Sequence, residues 1–186
     1  MNTQIPESSW LIGHYEKPVD GKSRLVVPSG FRKPLQSQEL ILMQWYDYAL
    51  ALFPFSIWEP LAERVKRKSI SGGRKKRGTR LSFFSGAFSQ YMDNQGRIVL
   101  SKDMKEYAGI ESEVIVLGDG DKIQLWAPYR YKDFRKEHDV FLSEGLDEIL
   151  EETDSLASLP TVNEERRVCV AKTTNPEDQQ MENDET

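Results

Sequence analysis

Two arginines, Arg24 and Arg97, each stand four residues after an aspartate, Asp20 and Asp93, and the two Asp-x-x-x-Arg groups lie 73 positions apart. A planar guanidinium held near the tip of a turn can give two parallel hydrogen bonds to a guanine edge in a DNA major groove. Lys22 and Gln95 hold matching places inside the same groups, where they suit phosphate or base contact. A carboxylate facing phosphate would be repelled, so Asp20 and Asp93 either form the turn or orient the arginine, and both roles stay open. Neither group places a nucleophile beside a base, and the chain has no cofactor fingerprint. The sequence therefore predicts no catalysis, no cofactor and no small-molecule substrate.

The elements that must carry these groups occur twice. Gly13-His-Tyr and Gly86-Ala-Phe open two units at the 73-residue shift, and Arg24-Leu-Val-Val27 falls on Arg97-Ile-Val-Leu100 without a gap. Further on, Phe31 meets Met104, Ile41 to Met43 meet Val114 to Val116, Leu52 meets Leu125, and Trp58 meets Tyr131. Matching apolar positions over this span predict one buried pattern folded twice. Each unit reads as strand, turn, strand, short helix, strand, turn, strand. In the second, Ser101 caps a helix over 102–108 that stops at Gly109. Gly118-Asp-Gly-Asp121 is hairpin chemistry and lacks the spaced ligands of a calcium loop. In the first, Trp45-Tyr-Asp-Tyr48 replaces that turn. A helix over about 56–68, with Trp58, Leu61 and Val65 on its apolar face, closes the first unit, and one from Tyr129 to about Leu150 closes the second.

Charge is segregated along the chain. From residue 137 onward, fifteen carboxylates face three basic side chains, a local net charge of −12; residues 1–136 carry twenty-two basic against fifteen acidic side chains, or +7. A total of −5 thus conceals a basic body able to bind a polyanion. Between the units, nine basic residues from Arg64 to Arg80, Arg74, Lys75, Lys76 and Arg77 among them, predict a mobile polycationic loop. It serves equally as a solvated linker or as a phosphate contact. The stretch 155–186 is too poor in apolar residues to offset the entropy of ordering it, so it reads as an acidic disordered tail able to compete with DNA for the basic body.

Other classes fit poorly. The single Cys169 and the isolated His14 and His138 offer no disulfide and no metal-ligand spacing. The start lacks a secretory signal, and no apolar run is long enough for a membrane span, which predicts a cytoplasmic protein.

Gly13-His-Tyr-Glu with Asp20-Gly-Lys-Ser-Arg24-Leu-Val-Val-Pro28 and Phe31-Arg32 resembles the first half of the MraZ family. Gly86-Ala with Asp93-Asn-Gln-Gly-Arg97-Ile and Tyr107-Ala-Gly109 resembles the second. The likeness covers about residues 10–136. It implies a mixed α+β, mainly β chain in which two tandem pseudo-repeats form an intrachain swapped-hairpin barrel of SpoVT-AbrB type with flanking helices. It also implies a nucleoid-associated transcriptional regulator that assembles into a homo-oligomeric ring and binds short direct repeats in the promoter of the division and cell-wall operon. Lys22, Arg24, Arg32, Gln95 and Arg97 are then the DNA-binding residues. Ser23 stands where the family's first turn usually has glycine, so the geometry around Arg24 is expected to differ from that around Arg97. Ser101 replaces the proline matching Pro28, which weakens helix pre-organisation in the second unit.

The predicted organisation is a first repeat over 10–61, a basic linker over 62–82, a second repeat over 83–136, a C-terminal helix over 137–154 and the tail. Two alternatives stand beside the promoter reading. One is an AbrB-like or antitoxin-like regulator of other promoters; the other is a ring-forming assembly protein that binds no DNA.

Overall fold

A computed structural model describes residues 10–70, 73–138 and 145. The tail at 155–186, Cys169, the side chain of His138 and nearly all of the 137–154 helix lie outside the described residues. Both repeats belong to one compact unit ending at Lys136, and a second unit begins at Glu137.

Strand β1 (Leu11–Pro18) leads through the first turn to β2 (Arg24–Val26), helix α1 (Ser29–Leu35) and the hairpin β3 (Leu40–Gln44) and β4 (Leu50–Pro54). Helices α2 (Phe55–Ser69) and α3 (Arg74–Ser85) follow. The second repeat runs β5 (Ala87–Gln90), β6 (Arg97–Val99), α4 (Lys102–Ala108), β7 (Glu113–Gly120) and β8 (Ile123–Trp126), and α5 spans Pro128–His138. The short helices start by different devices. Ser101 Oγ accepts the Met104 N–H at 3.3 Å to cap α4, whereas Pro28 stands at the start of α1 without a side-chain cap. Proline pre-sets the backbone and serine satisfies a free donor, so the exchange at Ser101 replaces one stabilising device by another.

Six strands form an antiparallel sheet in the order β1-β7-β8-β4-β3-β5, and β2 pairs with β6 in a separate ribbon. The fold is mixed α+β, as the sequence predicts, but the barrel is not closed. β1 and β5 lie at opposite edges of the sheet, and among the described residues β2 and β6, three residues each, pair only with one another apart from a single bridge, Val19 to Leu25. Four of these pairings, β1–β7, β2–β6, β3–β5 and β4–β8, join strands of different repeats, while β3–β4 and β7–β8 are hairpins within one repeat. Leu25 faces Ile98, and Ala51 faces Gln124, each residue opposite its own counterpart at the 73-residue shift.

One core serves both repeats. Leu25, Val27, Phe31 and Leu35 pack in the same cluster as Ile98, Leu100, Met104 and Ala108. Burying Leu25 or Ile98 is worth about 1.5–3 kcal/mol each. From the sheet, Leu40 and Leu42 enter this cluster, matched by Val114 and Val116. That match is a shift of 74, not the ungapped 73 that the sequence predicts there. At 73, Val114 and Val116 would answer to Ile41 and Met43; Met43 instead packs with Ala51 and Phe53 on the other face. The central strands are buried on both faces, so their apolar residues are continuous and carry no alternation from which a one-residue slip can be read.

Residues 74–85 also depart from expectation. They form helix α3, not a mobile loop, whereas α2 matches the helix predicted over about 56–68. The anchor is aromatic: Phe83 stacks on Trp58 with ring centroids 5.9 Å apart, Phe84 meets the same indole edge-on at 6.0 Å, and Phe83 packs against the Met43–Ala51–Phe53 cluster. Trp58 is thus a packing residue, as its helical spacing implies.

Candidate nucleic-acid interface

Each Asp-x-x-x-Arg group folds into a turn whose third loop residue has left-handed backbone, Ser23 at φ 57° and Gly96 at φ 73°. This is the common three-residue hairpin loop, which twists its flanking strands in the favoured sense. In the first turn, Ser23 N–H donates to Asp20 C=O at 2.8 Å and Asp20 N–H to Arg24 C=O at 3.0 Å. The second repeats both bonds from Gly96 and Asp93 at the same lengths.

The aspartates do two jobs at once. Asp20 Oδ1 accepts the backbone N–H groups of Lys22 and Arg24, each at 2.9 Å, which holds the turn. Its Oδ2 accepts Arg24 Nε at 2.7 Å and pairs with Nη2 at 2.6 Å, which holds the guanidinium. Asp93 makes the same four contacts to Gln95 and Arg97, at 2.9, 2.9, 2.7 and 2.7 Å. The two roles left open by the sequence are combined in one carboxylate, one oxygen for each. The side-chain hydrogen bond from Arg24, aided by the backbone bonds, lowers the Asp20 carboxyl to about 2, and Arg97 lowers Asp93 in the same way. Both aspartates are therefore ionised at neutral pH. The different geometry expected around Arg24 because of Ser23 is not found.

A guanidinium has five N–H donors. Each aspartate engages Nε and one side of Nη2, so among the described residues both Nη1 hydrogens and the second Nη2 hydrogen remain for a ligand approaching end-on. The pairing register sets Arg24 opposite Val99 and Val26 opposite Arg97. Leu25 and Ile98, between them, are 0% and 1% exposed. Alternation then places Arg24, Val26, Arg97 and Val99 on the outer face of the ribbon. Two further bonds tie the turns together: Leu100 N–H donates to Ser23 C=O at 2.8 Å, and Val27 N–H to Gly96 C=O at 2.9 Å.

Lys22 and Gln95 are exposed at the turn tips. Arg32 is half-buried; its Nε donates to Val27 C=O at 2.8 Å, and the side chain lies so close to the second turn that a Cβ on Gly96 would stand 2.7 Å from Nε. The structure thus brings Arg32 of the first repeat to the turn of the second, a meeting without any signal in sequence spacing. Arg74, Lys75, Lys76 and Arg77 are exposed in the first turn of α3, which contains no acidic residue. Four cations at the positive end of a helix repel one another and the helix dipole. Their placement favours an anionic neighbour over isolation in water. Sequence reasoning did not foresee the exposure of Val26 and Val99 on the outer face, because Leu25-Val-Val27 and Ile98-Val-Leu100 read as uniformly apolar strands.

No helix among the described residues is long and apolar enough to cross a membrane. Residues 83–152 match a family model described as "MraZ protein, putative antitoxin-like". A protein of Leuconostoc citreum (strain KM20) named transcriptional regulator MraZ is 31% identical over 141 residues, 76% of this chain and 94% of that relative. Proteins of the same name from Roseiflexus sp. (strain RS-1) and Thermomicrobium roseum are 34% and 35% identical, over 66% and 63% of this chain and 85% and 82% of theirs. All three are named as regulators, not as enzymes. The chain belongs to the MraZ family of transcriptional regulators.

Proposed function

We propose that the chain is a cytoplasmic, nucleoid-associated regulator that binds double-stranded DNA by laying the β2–β6 ribbon in the major groove. Its target is the set of short direct repeats in the promoter of the division and cell-wall operon. The observation that carries this reading is the pair of aspartate-held arginines on the outer face of one ribbon. A two-stranded ribbon fits a groove roughly 12 Å wide, and an arginine with free end-on donors can grip guanine O6 and N7. Lys22, Gln95 and Arg32 then supply phosphate or further base contacts, and Arg74 to Arg77 add contact to phosphate without reading sequence.

Strand exchange between the repeats supports a swapped-hairpin description of the fold. β1 of the first repeat pairs with β7 of the second, β5 of the second pairs with β3 of the first, and the two returning strands pair with each other. Assembly into a ring is part of the same proposal. Trp10 and Ile12 are 68% and 71% exposed beside the free edge of β1, and Trp10 with Pro34, Pro54 and Ile57 lines a cleft of about 650 Å³. Exposed apolar groups of this size are what a subunit contact would cover. Light scattering at micromolar concentration tests it: a ring scatters as a multimer, and a monomer removes the proposal.

Binding is tested with a promoter fragment carrying the direct repeats against a scrambled duplex of equal length at moderate salt. The chain should prefer the repeats. Neutralising residues 74–77 should weaken both duplexes about equally and reduce the salt dependence. Equal affinity of the unmodified chain for the two duplexes would refute sequence reading and leave an assembly protein as the better account.

A further inference from the structure

Outward positions of a ribbon with one buried face are ordinarily polar. On β2–β6 two of the outward positions are valines, Val26 at 40% and Val99 at 55% exposed. They are counterparts at the 73-residue shift, so the same exposed apolar side chain occurs in both repeats. Each faces an arginine of the other repeat across the ribbon, Val99 opposite Arg24 and Val26 opposite Arg97. Directly opposed side chains in an antiparallel pair have Cβ atoms roughly 4.5–5.5 Å apart. Both cross-strand pairs on this face therefore set one arginine and one valine opposite each other on the same exposed surface.

We infer that Val26 and Val99 read the C5-methyl group of thymine beside the guanines taken by Arg97 and Arg24, so that the ribbon selects mixed guanine and thymine sequence. The inference rests on the docking of the ribbon proposed above and adds the base class that its apolar positions accept. Among the four bases only thymine presents a methyl group in the major groove. Contact removes that methyl and the exposed isopropyl group from water together, and burying one such carbon changes affinity about fourfold. Cytosine at the same place would press its N4 amino donor against a side chain that cannot accept a hydrogen bond, which adds a desolvation cost and excludes it. The arginines set the guanine positions; the valines distinguish the bases beside them.

The test starts from a random duplex library, from which the full chain enriches its bound sequence. That duplex is synthesised again with each thymine replaced by uracil, which keeps base pairing and removes only the methyl. The unmodified chain should bind the uracil duplex about fourfold more weakly for each thymine contacted. Val26→Ala and Val99→Ala should each lose the thymine preference at their own position while keeping the guanine preference. Equal binding of thymine and uracil duplexes by the unmodified chain overturns the inference even if an alanine variant fails to fold. So does thymine discrimination that persists in both alanine variants. Failure of the docking itself looks different: no sequence is enriched, or Arg24→Ala and Arg97→Ala leave affinity unchanged.

Discussion

The turn at Asp20–Arg24 and the turn at Asp93–Arg97 make the same set of hydrogen bonds from different residues. The first carries Ser23 in the left-handed region where the second carries Gly96, and it exposes Lys22 where the second exposes Gln95. Left-handed backbone costs a side-chain-bearing residue about 1–2 kcal/mol, yet corresponding bonds in the two turns agree within 0.1 Å. Two bonds to the aspartate oxygen and one from Leu100 of the other repeat hold the first turn in that conformation. Geometry is thus set by the carboxylate and by the partner repeat, and the glycine only makes it less costly. The polar tip residues are left free to differ, so the two turns can share one way of aiming arginine while meeting different bases or phosphates.

The largest expected effect that sharpens this comparison concerns the arginines. Arg24→Ala and Arg97→Ala should each weaken binding to the preferred duplex by about 1–3 kcal/mol and relax its sequence preference, to similar extents because the two sites have the same geometry. Binding titrations that show a loss at one arginine alone would break the equivalence. Next in size, Gly96→Ser should destabilise the fold by about 1–2 kcal/mol in denaturant unfolding, through the left-handed penalty. The new Cβ would also press on Arg32, 2.7 Å from Nε. Ser101→Ala should cost about 1 kcal/mol by removing the α4 cap, a change for which the first repeat has no equivalent because Pro28 makes no side-chain cap bond. Ser23→Gly should work in the opposite direction, raising stability by about 0.5–1 kcal/mol once the greater entropy of glycine in the unfolded chain is set against the relieved strain.

The pH dependence is the smallest effect and follows from the carboxylates. Arg24 holds Asp20 at about 2, below an ordinary aspartate value near ~3.9, and Arg97 lowers Asp93 likewise. A depressed folded value means that the contribution is complete above the unfolded value and fades as pH falls through the folded one. Stability from these pairs should be level from pH 5 to 8 and decline from about pH 4 toward 2. Asp20→Asn should flatten that part of an acid-unfolding curve; an unchanged curve would show that the pair does not set it.

Legibility in the sequence followed the strength of local signals. The two turns, the hairpin around Gly118–Asp121 and helix α4 between Ser101 and Gly109 were legible because each is punctuated by residues with one conformational use. The slip of one residue between β3 and β7 was hidden, since Leu40–Met43 is buried on both faces and reads as apolar at either shift. Helix α3 was hidden because its first turn is four cations while its anchors, Phe83 and Phe84, stand at the far end. Of the site, the aspartates and arginines were visible from type and spacing alone. The approach of Arg32 to Gly96 and the outward valines depend on the pairing of β2 with β6, which no local pattern encodes.

The central claim is that Arg24 and Arg97, aimed by their aspartates, grip guanine edges from one face of the ribbon. The most direct measurement is a double-mutant cycle between protein and DNA, with affinities of the unmodified chain, Arg24→Ala and Arg97→Ala for the preferred duplex and for the same duplex carrying 7-deazaguanine, which lacks the N7 acceptor. The account predicts that the modified base weakens the unmodified chain at two places and that each alanine variant is insensitive at one of them. Losses from protein and base changes that simply add at every guanine would contradict it.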